Sequence, residues 1–527
     1  MQDVHDFVLP ERMDSLKTLS HYLRLGFDIE AVNKAISSKE WPQMIYNLTG
    51  SQKPAFTAQL LQQGKPGLIL TYSEELAQKW VNDLRTWLPG ETILYFPATE
   101  WLPFEVLGRS RETTIERIRV LNQLAQDNHC TVVATALAVD QKMYSRTRWQ
   151  EYIIELKEGA SYDLRELAQK LVTAGYERLD VVEGKGQFAI RGGILDVAPL
   201  AGEPLRIEFF DDEVDSIRIF NLDTQKSTAN LKSVLIPPAL EVVIRPEELE
   251  KLGWEIRAQA RKQAGRLNRN GRQEVAELVM KQAQRLEDKL KIGRLDESIY
   301  PYLSLLEEPL ESFFSLLSED RFVILDEPLR LKEQLEFQHK ERLEEYTEAL
   351  AKGELFLSPE DSLVTYEQIL EYGEKHPFIL MSTLPRQIPG VAPRRIFNLN
   401  ARPLTGFMGK TGALADEIDH WQKSGYIVTL FVGDEEHAER MLQGLKDRGA
   451  IAQKHELSLP VKEGGVYVYP LSLDQGFELP LSKLIVLSEA EIYKRERKAP
   501  AKRRKAPEKT AEKLQFTDLK PGDFVVH

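Results

Sequence analysis

The chain has 527 residues, 42% hydrophobic and 29% charged, with a net charge of −13. That length suits about three or four domains, the composition is ordinary for globular protein, and the acidic balance excludes a global basic signature for nucleic acid. One cysteine, Cys130, excludes an internal disulfide framework and fits a reducing compartment.

The first residues lack a cationic start followed by an apolar core, so no signal peptide is expected. No run approaches the ~20 apolar residues of a membrane span, so no membrane role is expected. The expected location is the cytoplasm.

Residues 1–40 read as helices, with apolar positions at helical spacing in LKTLSHYLRLGF and IEAVNKAISSKEW. The stretch MIYNLTGSQKPAFTAQLLQQG, from Met44 to Gly64, reads as a short strand, a tight turn and a helix start. A phosphate-binding loop belongs in that context, but its pattern is degraded. Asn47 stands where the first glycine belongs, Gln52 where the second belongs, and Pro54 where a hydroxyl would hold Mg²⁺. Lys53 alone keeps its place, with Gly50 and Ser51 inside the loop. Gln52 resists the backbone shape that closes N–H groups around a phosphate, and Pro54 has neither hydroxyl nor N–H. The shape is expected to persist while nucleotide binding is lost.

Strands follow at Gly67–Tyr72, Thr92–Phe96 and Thr131–Thr135, separated by helices, one of them capped by Ser73. Alternation of this kind predicts a covered parallel sheet, the layout of a nucleotide-motor core. From about Trp149 the pattern changes to short strands with turn punctuation, read as an inserted α+β domain. Gly192-Gly193 separates two strand-like runs and predicts a hairpin or bulge. Residues 250–295 read as charge-rich helices with a solvated face. The apolar run Arg321–Leu325 ends in Asp326-Glu327, a relic of the acidic motif that holds Mg²⁺ in a motor. Residues 376–493 read as a second α/β unit whose first strand is Phe378–Met381. Residues 494–513 are cationic and Pro-punctuated, a flexible linker. The last stretch starts a turn and strand and stops, so the chain reads as cut from a longer protein.

These features together resemble the N-terminal, UvrB-like region of the bacterial transcription-repair coupling factors, the Mfd family. The resemblance is carried by NLTGSQKP, TEWLPFE, GQFAIRGGILDVAPL, RIEFFDDEVDSIRIFNLDTQKS, LSLDQGFELPLSKLIVLSEAEIY and LKPGDFVVH. It implies a multidomain α/β architecture. A split, degenerate UvrB/helicase-like parallel-sheet domain (1–148 and 237–375) carries an inserted α+β UvrA-binding domain (149–236). An α/β domain of unclear role (376–493), the linker (494–513) and the start of an RNA-polymerase-interacting domain (514–527) follow.

The resemblance further implies an adaptor that recruits UvrA to stalled RNA polymerase in transcription-coupled nucleotide excision repair. No ATPase activity, catalytic residue, metal or cofactor is expected in these residues. ATP and Mg²⁺ would belong to a motor beyond residue 527, as would most contacts with RNA polymerase and double-stranded DNA. Arg191, Arg178 and Phe188 are the expected UvrA-binding residues, and Ala189 stands where a third basic residue occurs in UvrB. Arg side chains suit such an interface because their forks pair with carboxylates. The bland alternative for Arg191 is an internal bridge to Asp211-Asp212-Glu213. Two competing functions remain: an active UvrB-type helicase using Lys53 with Asp326 and Glu327, and a passive duplex-DNA binder.

Overall fold

The computed structural model describes residues 17–99, 111–126, 129–293, 297–308, 310–357, 363–407, 409 and 411–493. The basic linker, the terminal segment 514–527 and most of the TEWLPFE loop lie outside them.

Seven strands form one parallel sheet, in the order Arg395–Asn398, Gln43–Tyr46, Phe378–Ser382, Phe322–Asp326, Gly67–Thr71, Thr131–Thr135, Ile93–Phe96. Such strands read as continuous apolar runs because helices cover both faces. Leu68 and Leu70 enter one core cluster and Ile69 the other, the period-two split of a strand buried on both sides. The helix Glu74–Trp87 covers one face with Trp80, Val81 and Leu84, and Ser73 caps it by accepting from the Leu76 N–H at 3.3 Å. The helix Gln52–Leu61 is buried along its whole length.

The chain-order assignment of Phe378–Met381 to the second α/β unit is corrected here. Phe378–Ser382 lies inside the first sheet, between Gln43–Tyr46 and Phe322–Asp326. A buried parallel strand is placed by crossovers and packing, and five apolar residues carry no label for the sheet they join.

The inserted unit is entered and left through a two-stranded antiparallel neck, Ile154–Lys157 with Ser233–Ile236. Its six-stranded sheet runs Ser227–Leu231, Glu213–Phe220, Leu205–Phe210, Ile194–Ala198, Gln187–Arg191, Glu177–Arg178. The helix Leu164–Thr173 is capped by Asp163, which accepts from the N–H groups of Arg165 and Glu166 at 2.7 and 3.2 Å. Leu167 and Leu171 of that helix share a core cluster with Phe188, Leu195, Val197, Leu205, Ile207 and Ile217 of the sheet. Gly192-Gly193 makes the expected hairpin. Gly192 has φ 60°, and a Cβ on Gly193 would lie 2.7 Å from the Phe209 carbonyl oxygen.

Two long helices, Pro246–Arg269 and Gln273–Lys291, form the charge-rich hairpin, with Ile256, Ala260, Val279 and Ala283 buried between charged faces. The last unit has a six-stranded sheet in the order Arg402–Pro403, Phe477–Leu479, Leu484–Ser488, Ile427–Phe431, Val466–Tyr469, Gln453–Lys454. The helices Thr411–Lys423 and Glu435–Lys446 contribute Leu414, Ile418, Ala438 and Met441 to the cluster on one face. Its other face joins the core of the first unit: Phe431, Tyr469 and Phe477 share a cluster with Phe27, Phe56 and Trp87. The Trp87 and Phe431 rings meet edge-on at 5.2 Å between centroids.

Candidate functional site

On the inserted sheet, alternate residues of each strand face away from the helix-covered core. One row joins Ala189, Asp196, Arg206 and Arg218 across four strands, and the next joins Arg191, Ile194, Glu208 and Ser216. Asp196 organises this face although its own carboxylate is buried. It accepts from Arg206 at two points, Nε to Oδ1 at 2.7 Å and Nη2 to Oδ2 at 2.9 Å. Arg191 Nη2 donates to the same Oδ2 at 2.9 Å. The Arg206 pKa is raised, first through its hydrogen bond to Asp196. Arg206 is largely covered and lies over the Phe220 ring at 4.8 Å, while the Arg191 side chain keeps half its surface in solvent. Arg218 donates to Glu208 at 2.8 Å.

The internal partner of Arg191 is therefore Asp196, two positions past its register mate Ile194 on the next strand, instead of the run Asp211-Asp212-Glu213. The bridge fixes one end of the guanidinium and leaves donors free for an acidic partner. Arg178 is exposed on the edge strand, level with Phe188 and three residues short of Arg191. The pairing does not bring it onto the Arg191 row. Phe188 is corrected: it is fully buried in the core, so it supports the face from beneath and cannot touch a partner. Phe210, at 81% exposure, is the aromatic that the open face presents. It shares the strand Leu205–Phe210 with Arg206 and Glu208 at two-residue spacing, so the alternation Arg-Ile-Glu-Phe-Phe was the signal that could have found it.

The degraded phosphate loop has the expected strand, turn and helix, Gln43–Tyr46 into Gln52–Leu61. Asn47 and Gly50 take left-handed φ values of 71° and 48°. The donors a phosphate would need are turned inward. Gln52 N–H donates to the Thr49 carbonyl at 3.1 Å, and Lys53 N–H to the Gly50 carbonyl at 3.2 Å. The Gln52 side chain takes the Thr49 N–H at 2.9 Å, and Asn47 Nδ2 donates to the Leu399 carbonyl at 3.0 Å. Pro54 has no N–H to offer.

Lys53 meets the acidic relic directly. Its Nζ donates to Asp326 and, at 2.8 Å, to Glu327. Burial opposes the ammonium charge, but the two carboxylates outweigh it and the Lys53 pKa rises. Burial likewise opposes the Glu327 carboxylate, and Lys53 reverses that and lowers its pKa. Asp326 also accepts from Trp80 Nε1 at 2.8 Å, and Glu327 from the Thr383 N–H and hydroxyl at 2.7 and 2.6 Å. The space left beside them is about 150 Å³, bordered by Gly50, Lys53, Asp326, Glu327 and Asp474. Ligand pockets typically run from about 300 to 1,000 Å³.

Among the described residues no group of three or more His, Cys, Asp or Glu could hold a metal ion, and no helix is long and apolar enough to cross a membrane.

Residues 154–241, the inserted sheet with its neck, match the model of the UvrB interaction domain. The fold and this match thus define a multidomain α/β protein that carries a UvrB-type interaction module on a large parallel sheet. Over almost its whole length the chain is similar to transcription-repair-coupling factors. It is 31% identical to that of Bacillus subtilis (strain 168) over 523 residues, 98% of this chain and 43% of the relative. It is 27% identical to that of Staphylococcus aureus (strain USA300) over 492 residues, 92% of this chain and 41% of the relative. The chain spans less than half the length of these relatives, and the resemblance drawn from its motifs is borne out.

Proposed function

We propose that this chain is the adaptor portion of a cytoplasmic transcription-repair coupling factor, recruiting UvrA through the open face of the inserted sheet. Stalled RNA polymerase and double-stranded DNA are engaged by other parts of the longer protein, which also supply the ATP and Mg²⁺ chemistry. The observation that carries the reading is the Asp196-held pair Arg191 and Arg206 on the same sheet face as the exposed Phe210, within the segment that matches the UvrB interaction domain. Fixed guanidiniums and an exposed aromatic on one face are the composition of an interface hot spot. Titration of UvrA onto the chain tests it. Arg191→Glu is expected to lower affinity while leaving the fold intact, and unchanged affinity removes Arg191 from the interface.

The same proposal holds that residues 44–64 and 322–327 perform no ATP chemistry. The supports are the inward-turned N–H groups, the engagement of Lys53 by Asp326 and Glu327, and the small space beside them. Calorimetry with Mg²⁺ and ATP is expected to give no binding. Micromolar affinity would restore the active-helicase alternative.

A further inference from the structure

The segment Leu471–Gly476, LSLDQG, leaves the second sheet and runs against the degraded phosphate loop. Gln475 N–H donates to Ser51 Oγ at 2.9 Å, and Asp474 N–H donates to Asp83 Oδ1 at 3.0 Å. The Ser51 hydroxyl also bonds the Asp83 carboxylate. The Gln475 carboxamide lies so close over Gly50 that a Cβ there would sit 2.0 Å from Oε1. Thr86 donates to the Ser472 carbonyl at 2.7 Å, and Lys79 faces Asp474 at 3.8 Å. Leu473 is buried in the core shared by the two α/β units.

The far end of the segment is held just as firmly by its own unit. Glu491 accepts from the Gly476 N–H at 2.7 Å and from the Ser488 N–H and hydroxyl at 3.0 and 2.7 Å. A Cβ on Gly476 would lie 2.5 Å from the Val486 carbonyl oxygen, so only glycine fits. The segment is therefore fixed at Gly476 by its own unit, and on its side the contact uses backbone N–H donors, which have no rotamers to lose, against the side chains of Ser51 and Asp83.

We infer that Leu471–Gly476 is a built-in ligand of the former phosphate loop, a latch that docks the second α/β unit on the first in one orientation. The loop that in a motor would receive phosphate here receives one backbone N–H donor at Ser51, and a second goes to Asp83 on the neighbouring helix Glu74–Trp87. This assigns the second α/β unit, residues 402–493, a task that the docking face does not, and it stands whether or not that face binds UvrA.

Hydrogen exchange on the 527-residue chain, read by mass spectrometry, tests the inference. Ser51→Ala combined with Asp83→Ala removes both acceptors. The amides of Asp474 and Gln475, in the other unit, are then expected to exchange about tenfold faster or more, the measure of a lost hydrogen bond. Gln475→Ala changes only an exposed side chain, so it reports even if the first variant folds poorly. It is expected to speed exchange at residues 49–53, across the contact. Unchanged exchange on both far sides would show that the segment merely abuts the loop, and the inference fails. It fails equally if millimolar Mg²⁺ and ATP, added to the unaltered chain, displace the segment and speed its exchange.

Discussion

Lys53 and Arg191 are two cations of one chain, each set against a buried aspartate, and their surroundings make them opposites. Lys53 is itself buried, divided between Asp326 and Glu327, and the second α/β unit closes over its loop through Asp474 and Gln475. Arg191 shares Asp196 with Arg206 but remains half exposed, on a sheet face bordered by Phe210. One carboxylate serving two guanidiniums leaves donor capacity unused, whereas two carboxylates on one ammonium leave little. The first arrangement suits a docking surface and the second suits a closed core.

Substitutions sharpen or break this contrast, beginning with the largest effect. Lys53→Ala strands the buried Asp326 and the partly buried Glu327 and should cost about 3 to 5 kcal/mol of stability. The urea midpoint of the chain should fall accordingly, and an unchanged midpoint would mean that Lys53 is not a structural residue.

The next effect is one of pH. Burial pushes the Asp83 carboxyl up to about 6, against the hydrogen bonds from Ser51 and Asp474 and the charge of Lys79, while Asp474 adds to the rise. The folded state then holds its proton more tightly than the unfolded chain, where a carboxyl titrates near its ordinary value of about 3.9. The favourable contribution is complete below about pH 4 and is lost as pH rises through about 6, a change on the order of 2 to 3 kcal/mol. Stability measured from pH 4 to 7 should show that slope, and Asp83→Asn should flatten it.

At the open face the effects move from stability to affinity. Arg191→Glu should weaken UvrA binding by about 2 kcal/mol or more, with a smaller loss of stability, because Arg206 still holds both oxygens of Asp196. Phe210→Ala should be smaller, about 1 to 2 kcal/mol in affinity, with stability within about 0.5 kcal/mol of the original. A Phe210→Ala chain that binds UvrA as tightly as before would place the interface elsewhere on the sheet.

Much of the local structure was legible without coordinates. The strand, turn and helix around Gly50, the Ser73 cap and the Gly192-Gly193 hairpin all follow from short-range rules or from a recognisable motif. The choice of Phe188 as a contact residue failed because alternation puts Phe188 and Arg191 on opposite faces of one strand, and packing decides that the Phe188 face is the core. The Arg191 partner was missed for a related reason: Asp196 lies on the adjacent strand, and register decides which acids share a face.

The residue sequence by itself determined the backbone: where glycine must stand, where proline removes a donor, and which apolar runs become strands. It also determined that the phosphate loop lacks its second glycine and its hydroxyl, since those are properties of single positions. Only the tertiary structure decided that Phe378–Ser382 joins the first sheet, that Asp196 carries two arginines and that Gln475 lies over Gly50. Those outcomes depend on which surfaces meet, and residues far apart in the chain, 424 positions for Ser51 and Gln475, meet only when whole units pack.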